Sequence, residues 1–129
     1  MAQLPDFLLS LSSRGLLHQC SDEVALRAHL GSSRVGYCGF DPTADSLTIG
    51  NLVPIMLLRR WQACGHKPVV LMGGGTGLIG DPSGKSAERE LLTEDKVRHN
   101  VESQKRIFAR LLDFGGGSSP ATMVNNADW

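Results

Sequence analysis

The run Gly73–Ser86, GGGTGLIGDPSGKS, carries two overlapping patterns that elsewhere hold phosphate. It ends in Gly84-Lys85-Ser86, as a P-loop does. It also contains Gly75-x-Gly77-x-x-Gly80, which fits a dinucleotide-binding turn. A P-loop requires G-x-x-x-x-G-K-[ST]. The position it needs as glycine is Ile79, and Gly80 is one residue too close. Pro82 also removes a backbone N–H that a phosphate cradle would use. The dinucleotide turn must open directly into a helix whose N-terminus meets the pyrophosphate. Here Asp81-Pro82-Ser83-Gly84 is a turn sequence, and an anion at Gly80 would face the Asp81 carboxylate. Neither phosphate reading fits. A tight loop, with positive φ and close backbone packing, is the structural alternative.

Other chemistry is limited by composition. Lys plus Arg and Asp plus Glu are both 13, so the net charge is zero. That argues against broad non-specific nucleic-acid binding, which needs a basic surplus. Cys20, Cys38 and Cys64 are odd in number and widely spaced. With no C-x-x-C, neither a zinc site nor a redox pair is suggested, and no protein-bound metal is expected. Free thiols in a reducing cytosol are the expected state. The N-terminus lacks a basic region and a continuous apolar run, so it does not read as a signal peptide. No segment has the length of a membrane span, and a cytoplasmic protein is the expectation.

The elements that must position any site follow from apolar periodicity. Phe7, Leu8, Leu11 and Leu16 read as one face of a short helix. Ser21 is the expected N-cap of a second helix, with Val24, Leu26 and Leu30 as its apolar contacts. Val35–Phe40 (VGYCGF) reads as a short buried strand, and Asp41–Ser46 as a loop. Leu47–Cys64 reads as a helix closed by Gly65. Pro68–Met72 is a second strand. Glu88–Leu92 suits a short helix, and Thr93 the cap of a longer one whose core face holds Val97, Val101, Phe108 and Leu112. Asp113–Pro120 (DFGGGSSP) reads as a flexible loop, and Ala121–Asn125 as a third strand.

Strands alternating with helices predict an α/β fold: the first half of a doubly wound, Rossmann-like parallel sheet, preceded by an N-terminal helical segment. The division expected is residues 1–34 for that segment and 35–129 for the half-sheet. In such sheets ligands sit beyond the carboxyl ends of the strands. Those ends are Tyr37–Asp41, Gly73–Asp81 and Asn125–Trp129, all polar or glycine-rich.

YCGFDPTADSLTIGNL (Tyr37–Leu52), GGGTGLIGDPSGKSAER (Gly73–Arg89) and NNADW (Asn125–Trp129) together resemble the bacterial-type tyrosyl-tRNA synthetases. These are class I aminoacyl-tRNA synthetases, whose catalytic domain has the HUP type of nucleotide-binding sheet. The resemblance runs over essentially the whole chain. It implies a ligase that joins L-tyrosine to ATP as tyrosyl-adenylate, with Mg2+ accompanying the ATP. The tyrosyl group then passes to tRNA(Tyr). By the same resemblance the full-length protein is a homodimer.

The resemblance also distributes roles. For tyrosine it implies Tyr37, Gly39, Thr76, Asp81 and Asn126, with Trp129 at the pocket wall. Asp81 would receive the α-ammonium group. A packing role is the alternative for Tyr37. For ATP it implies Cys38, Gly39, Asp41, Thr43, Thr48, Gly50 and Asn51, and for Cys38 a buried thiol is the alternative. The signature region is Pro42, Thr43, Ala44, Asp45, Ser46, Leu47, Thr48, Ile49, Gly50 and Asn51. There Thr48 and Asn51 stand where the class carries the histidines of H-I-G-H. Asn51 keeps an amide donor, whereas Thr48 has a shorter reach or serves only as an N-cap. Thr48 and Asn51, with Lys85 and Arg89, are the expected catalytic residues. Lys85 and Arg89 would reach pyrophosphate, and their alternative is solvated surface charge. No K-M-S-K-S occurs in the chain. The expectation is therefore a fragment carrying half an active site, inactive alone and exposing an apolar edge on its third strand. The alternative is a short non-catalytic paralogue that binds a nucleotide or a partner.

Overall fold

The structure, a computed structural model, describes residues 5–79 and 92–129. In chain order it holds α1 (Phe7–Ser12), α2 (Glu23–His29), β1 (Val35–Phe40), α3 (Ile49–Ala63), β2 (Lys67–Met72), α4 (Glu94–Leu111) and β3 (Thr122–Asn125). Short 3-10 turns follow β2 at Thr76–Leu78 and β3 at Asn126–Asp128. The expected helix at Glu88–Leu92 lies almost wholly outside the described residues.

The three strands are parallel, in the order β1-β2-β3, with Tyr37 opposite Val69 and Val69 opposite Thr122. One core joins them to both crossover helices. Phe40, Val70, Met72 and Ala121 meet Ile55 and Leu58 of α3, and Val97, Val101 and Phe108 of α4. Because side chains alternate along a strand, Val35, Tyr37, Gly39, Val69, Leu71, Thr122 and Val124 point to the other face. No described helix covers that face. This corrects the reading of VGYCGF as buried: Phe40 is 4% exposed and Tyr37 73%. An apolar sequence shows that a strand is packed somewhere, not that both faces are. Both outer strands are edges, and Val35 on β1 is more exposed than Val124 on β3.

The helix ends follow local chemistry. Thr93 caps α4, its Oγ1 accepting from Lys96 N at 3.3 Å, and Glu94 and Asp95 sit in the positive first turn. Gly65 closes α3 at φ 83° while His66 N donates to Trp61 O at 3.2 Å. Gly15 does the same for α1 at φ 64°, with Leu16 N donating to Leu11 O at 3.0 Å. That turn takes Leu16 off the helix face it was expected to share. In α2 the cap is Asp22 and not Ser21: the Asp22 carboxylate accepts from Ala25 N at 2.9 Å. Val24, expected as an apolar contact, faces solvent. The segment Asp113–Pro120 is stitched and not loose. Asp113 Oδ1 accepts from Gly116 N at 2.8 Å and Gly115 N at 2.9 Å, which holds its carboxyl below the usual range. Gln62 donates to the carbonyls of Asp113 and Ser119 and accepts from Asp113 N.

A second cluster seats the N-terminal segment on the end of α3. Phe7, Leu8, Leu11 and Cys64 are buried there, with Trp61, Leu26 and Leu30 packed against them. The Phe7 ring meets Trp61 edge-on at 4.9 Å, and Trp61 lies over His66 at 4.2 Å. His66 is buried, and its Nδ1 accepts from Arg34 N at 3.2 Å. Burial, and then the Arg34 charge, push its pKa below 6.5. The folded state therefore binds the proton less readily than the unfolded chain. Stability is complete above about pH 6.5 and falls as pH drops toward the folded pKa. The urea midpoint should decline between pH 7 and pH 5.5, with a shallower decline in His66→Gln. Equal slopes for the two proteins would refute this assignment.

Candidate active site

The carboxyl ends of the strands lie in register, with Phe40 opposite Met72 and Met72 opposite Asn125. Just beyond them Gly73 N donates to Phe40 O at 2.9 Å. This extends the pairing of β2 with β1 by one residue. The glycine run then crosses above β3, where two asparagine side chains receive it. Gly74 N donates to Asn125 Oδ1 at 3.0 Å, and Gly75 N to Asn126 Oδ1 at 2.7 Å. Asn126 Nδ2 in turn donates to Thr76 Oγ1 at 3.3 Å, and Thr76 Oγ1 to Gly73 O at 3.2 Å. Asn125 Oδ1 also accepts from Ala127 N at 3.1 Å.

These contacts explain the glycines. None of the described residues from Gly73 to Gly77 has a positive φ, so of the structural alternative only the close packing is seen there. What glycine provides is room. A Cβ on Gly74 would overlap the Asn125 amide, and one on Gly73 would lie 2.7 Å from Thr76 Oγ1 and 3.1 Å from Asp41 Oδ1. Thr76, Asn126 and Asp41 thus converge on this loop.

The second part of the site is the N-terminus of α3. Thr48 has extended ψ of 166° and caps the helix, which is why α3 begins at Ile49 and not at Leu47. Thr48 Oγ1 accepts from Asn51 N at 3.4 Å, while Asn51 Oδ1 accepts from Thr48 N at 2.9 Å. Thr48 Oγ1 also donates to Asn51 Oδ1 at 2.9 Å. This reciprocal capping box fixes both side chains. It occupies the Asn51 oxygen and leaves the Asn51 NH2 without a partner among the described residues. Gly50, beside it, and Thr43, in the loop that leads to it, are exposed. The site therefore presents an amide donor on the positive end of a helix dipole.

The remaining candidates are scattered. Tyr37 and Gly39 lie on the open face of β1, and a Cβ on Gly39 would meet nothing within 4 Å. The Cys38 thiol points the other way, against the core, and burial raises its pKa. It is therefore a neutral group with little polar reach. Trp129 is 78% exposed. Asp81, Lys85 and Arg89 lie outside the described residues. Asn125 was not foreseen as a site residue. Its place at the end of a strand, opposite a glycine run, was the available signal. A depression of about 380 Å³ lies between Arg59, Gln62, Arg110 and Asp113. It sits at the carboxyl ends of α3 and α4, away from this loop.

A three-stranded parallel sheet with a capped helix N-terminus and a glycine loop at its carboxyl edge is the first half of a Rossmann-like α/β fold. The family described as tRNA synthetases class I (W and Y) matches residues 32–129, and the chain belongs to it. The tyrosine–tRNA ligase of Novosphingobium aromaticivorans is 58% identical over 121 residues, 92% of this chain and 29% of that protein. That of Opitutus terrae is 56% identical over 120 residues, 92% of this chain and 28% of the relative. That of Brucella abortus is 54% identical over 125 residues, 96% and 30%. A C-terminally truncated mitochondrial tyrosyl-tRNA synthetase from Aspergillus nidulans superposes with a TM-score of 0.76 at 28% identity. That match covers 95% of this chain and 38% of the other. The chain therefore spans about three tenths of the length of the curated relatives it matches. No helix among the described residues is long and apolar enough to cross a membrane.

Proposed function

We propose that residues 35–129 form the first half of the active site of a tyrosine–tRNA ligase, with residues 1–34 as an accessory helical segment. That segment packs on the end of α3 through an apolar cluster distinct from the one under the sheet. The observation that carries the functional reading is the convergence of Asp41, Thr76 and Asn126 on one loop, at the same sheet edge as the Asn51 amide.

In this reading the tyrosine carboxylate attacks the α-phosphorus of Mg2+-bound ATP and pyrophosphate departs. Positioning and charge stabilisation suffice for such a step. Tyr37 meets the substrate phenol, and a polar partner left unpaired there rejects phenylalanine. Thr76, Asn126 and Asp81 hold the amino-acid end, with Asp81 facing the ammonium. Asp41, Thr43 and the backbone at Cys38, Gly39 and Gly50 hold the adenylate. Thr48, Asn51, Lys85 and Arg89 serve the phosphates. The tyrosyl group then passes to tRNA(Tyr), and the full-length protein is a cytoplasmic homodimer.

The test is tyrosine-dependent ATP–pyrophosphate exchange by the full-length protein containing these residues. Exchange with tyrosine, and little with phenylalanine or tryptophan, is the expected result. Exchange with tryptophan instead, or with neither, would remove the assignment. Within it, Asn51→Ala should lower the exchange rate about 100-fold, the effect of losing one preorganised donor. The KM for tyrosine should stay unchanged, because Asn51 lies at the phosphate end. Equal exchange rates for variant and wild type would sink that role.

A further inference from the structure

We propose that Asn100 and Gln104, neighbouring turns of α4, are positioning residues that set the Asp41–Leu47 loop for ATP. This inference rests on the functional reading above. The loop has no helix or strand of its own, yet it carries Asp41 and Thr43 and leads into Thr48 and Asn51. Its carbonyls therefore need partners from elsewhere. Asn100 Nδ2 donates to Pro42 O at 2.9 Å. Gln104 Nε2 donates to Ala44 O at 2.9 Å and to Asp41 O at 3.4 Å. One helix face thus replaces the missing ladder.

The burial of these amides is the second observation. Asn100 is 0% and Gln104 1% exposed, on the same face as Val97, Val101 and Phe108. Buried amides are disfavoured there relative to leucine or methionine. Their own oxygens, Asn100 Oδ1 and Gln104 Oε1, are buried with no partner among the described residues, so the cost is only partly offset. Apolar side chains would serve the core better, and the amides are accounted for by the loop they hold. The same helix also touches the other half of the site. Val97 Cγ2 lies 3.8 Å, and Pro42 Cγ 3.4 Å, from where a Cβ on Gly77 would stand. α4 is thereby a common strut for the ATP loop and the glycine loop.

The experiment uses the full-length protein with Gln104→Met, and Asn100→Leu as a second variant. Both keep the approximate heavy-atom shape and remove the donors. Catalytic efficiency for ATP should fall about 10- to 100-fold, the effect of a small misplacement at a site. The KM for tyrosine should stay within about twofold, since Tyr37 and Gly39 ride on β1 and not on the loop. Amide hydrogen exchange of residues 41–47 should accelerate while β2 and β3 stay protected. Asn100→Gln, which keeps an amide donor, should retain part of what Asn100→Leu loses. Unchanged exchange in residues 41–47 would overturn the proposal, as would a faster-exchanging loop with unaltered ATP kinetics. If the wild-type protein itself catalyses no pyrophosphate exchange, the functional reading fails. The hydrogen-exchange comparison then still decides whether these amides set the loop.

Discussion

Phe108→Ala is expected to lower stability by about 3–5 kcal/mol, the range for truncating a buried aromatic ring. Phe108 is fully buried, and its ring meets Phe40 at 4.9 Å with the planes at 65°. The cluster around it draws on every strand and on both crossover helices. A void there cannot close by moving one side chain, because the neighbours are held by separate elements. Domains of this kind have only about 5–15 kcal/mol to lose. The unfolding midpoint should fall by roughly 10–20 °C. Phe108→Leu should lose clearly less, because it leaves a smaller void. Midpoints within a degree or two of wild type would mean that the sheet and helices do not share one core.

Gly74→Ala is the second large effect, and it falls on function more than on folding. The new methyl overlaps the Asn125 amide. That amide is not free to swing aside. Its oxygen accepts from both Gly74 N and Ala127 N, so moving it breaks two bonds and leaves the buried Gly74 N–H unpaired at about 1–3 kcal/mol, while the exposed Ala127 N–H can turn to water. The cheaper response is displacement of the glycine loop, which carries Thr76 away from Asn126. Tyrosine affinity should fall about 100-fold, the scale for a small misplacement at a binding site. Stability should fall by about 1–3 kcal/mol. A double-mutant cycle identifies the cause. Gly74→Ala combined with Asn125→Ala should be no less stable than Asn125→Ala alone, because the overlap is gone. Strictly additive losses would show that the two residues do not oppose one another.

Local chemistry made much of this fold legible. Thr93 and Gly65 act as cap and stop where the sequence placed them, because each effect is settled within a turn of the chain. Thr48 took the cap role that its residue type allowed, and Asn51 completed the box. The failures share a different cause. Val24 has the spacing of a core residue, but no described residue packs over it. VGYCGF has strand composition, but composition cannot report that no described helix covers one face. The glycine run suggested positive φ, and what it supplies is clearance for two asparagines far along the chain. Asn100 and Gln104 interrupt an apolar face and left no signal of purpose. Their partners are carbonyls of a loop remote in sequence. Long-range backbone recognition has no local signature.

The strand order β1-β2-β3 is also the order of synthesis. Each parallel pair is bridged by the one segment between its strands, so β1 and β2 can join before β3 exists. Chains emerge at about 5–20 residues per second and fold from the N-terminal side. The loop after β2 is different. Its glycine N–H groups are received by Asn125 and Asn126, which sit at the far end of β3. The glycine loop is consequently the last part of the half-sheet to set. Its hydrogen bonds form only once the third strand has docked in register.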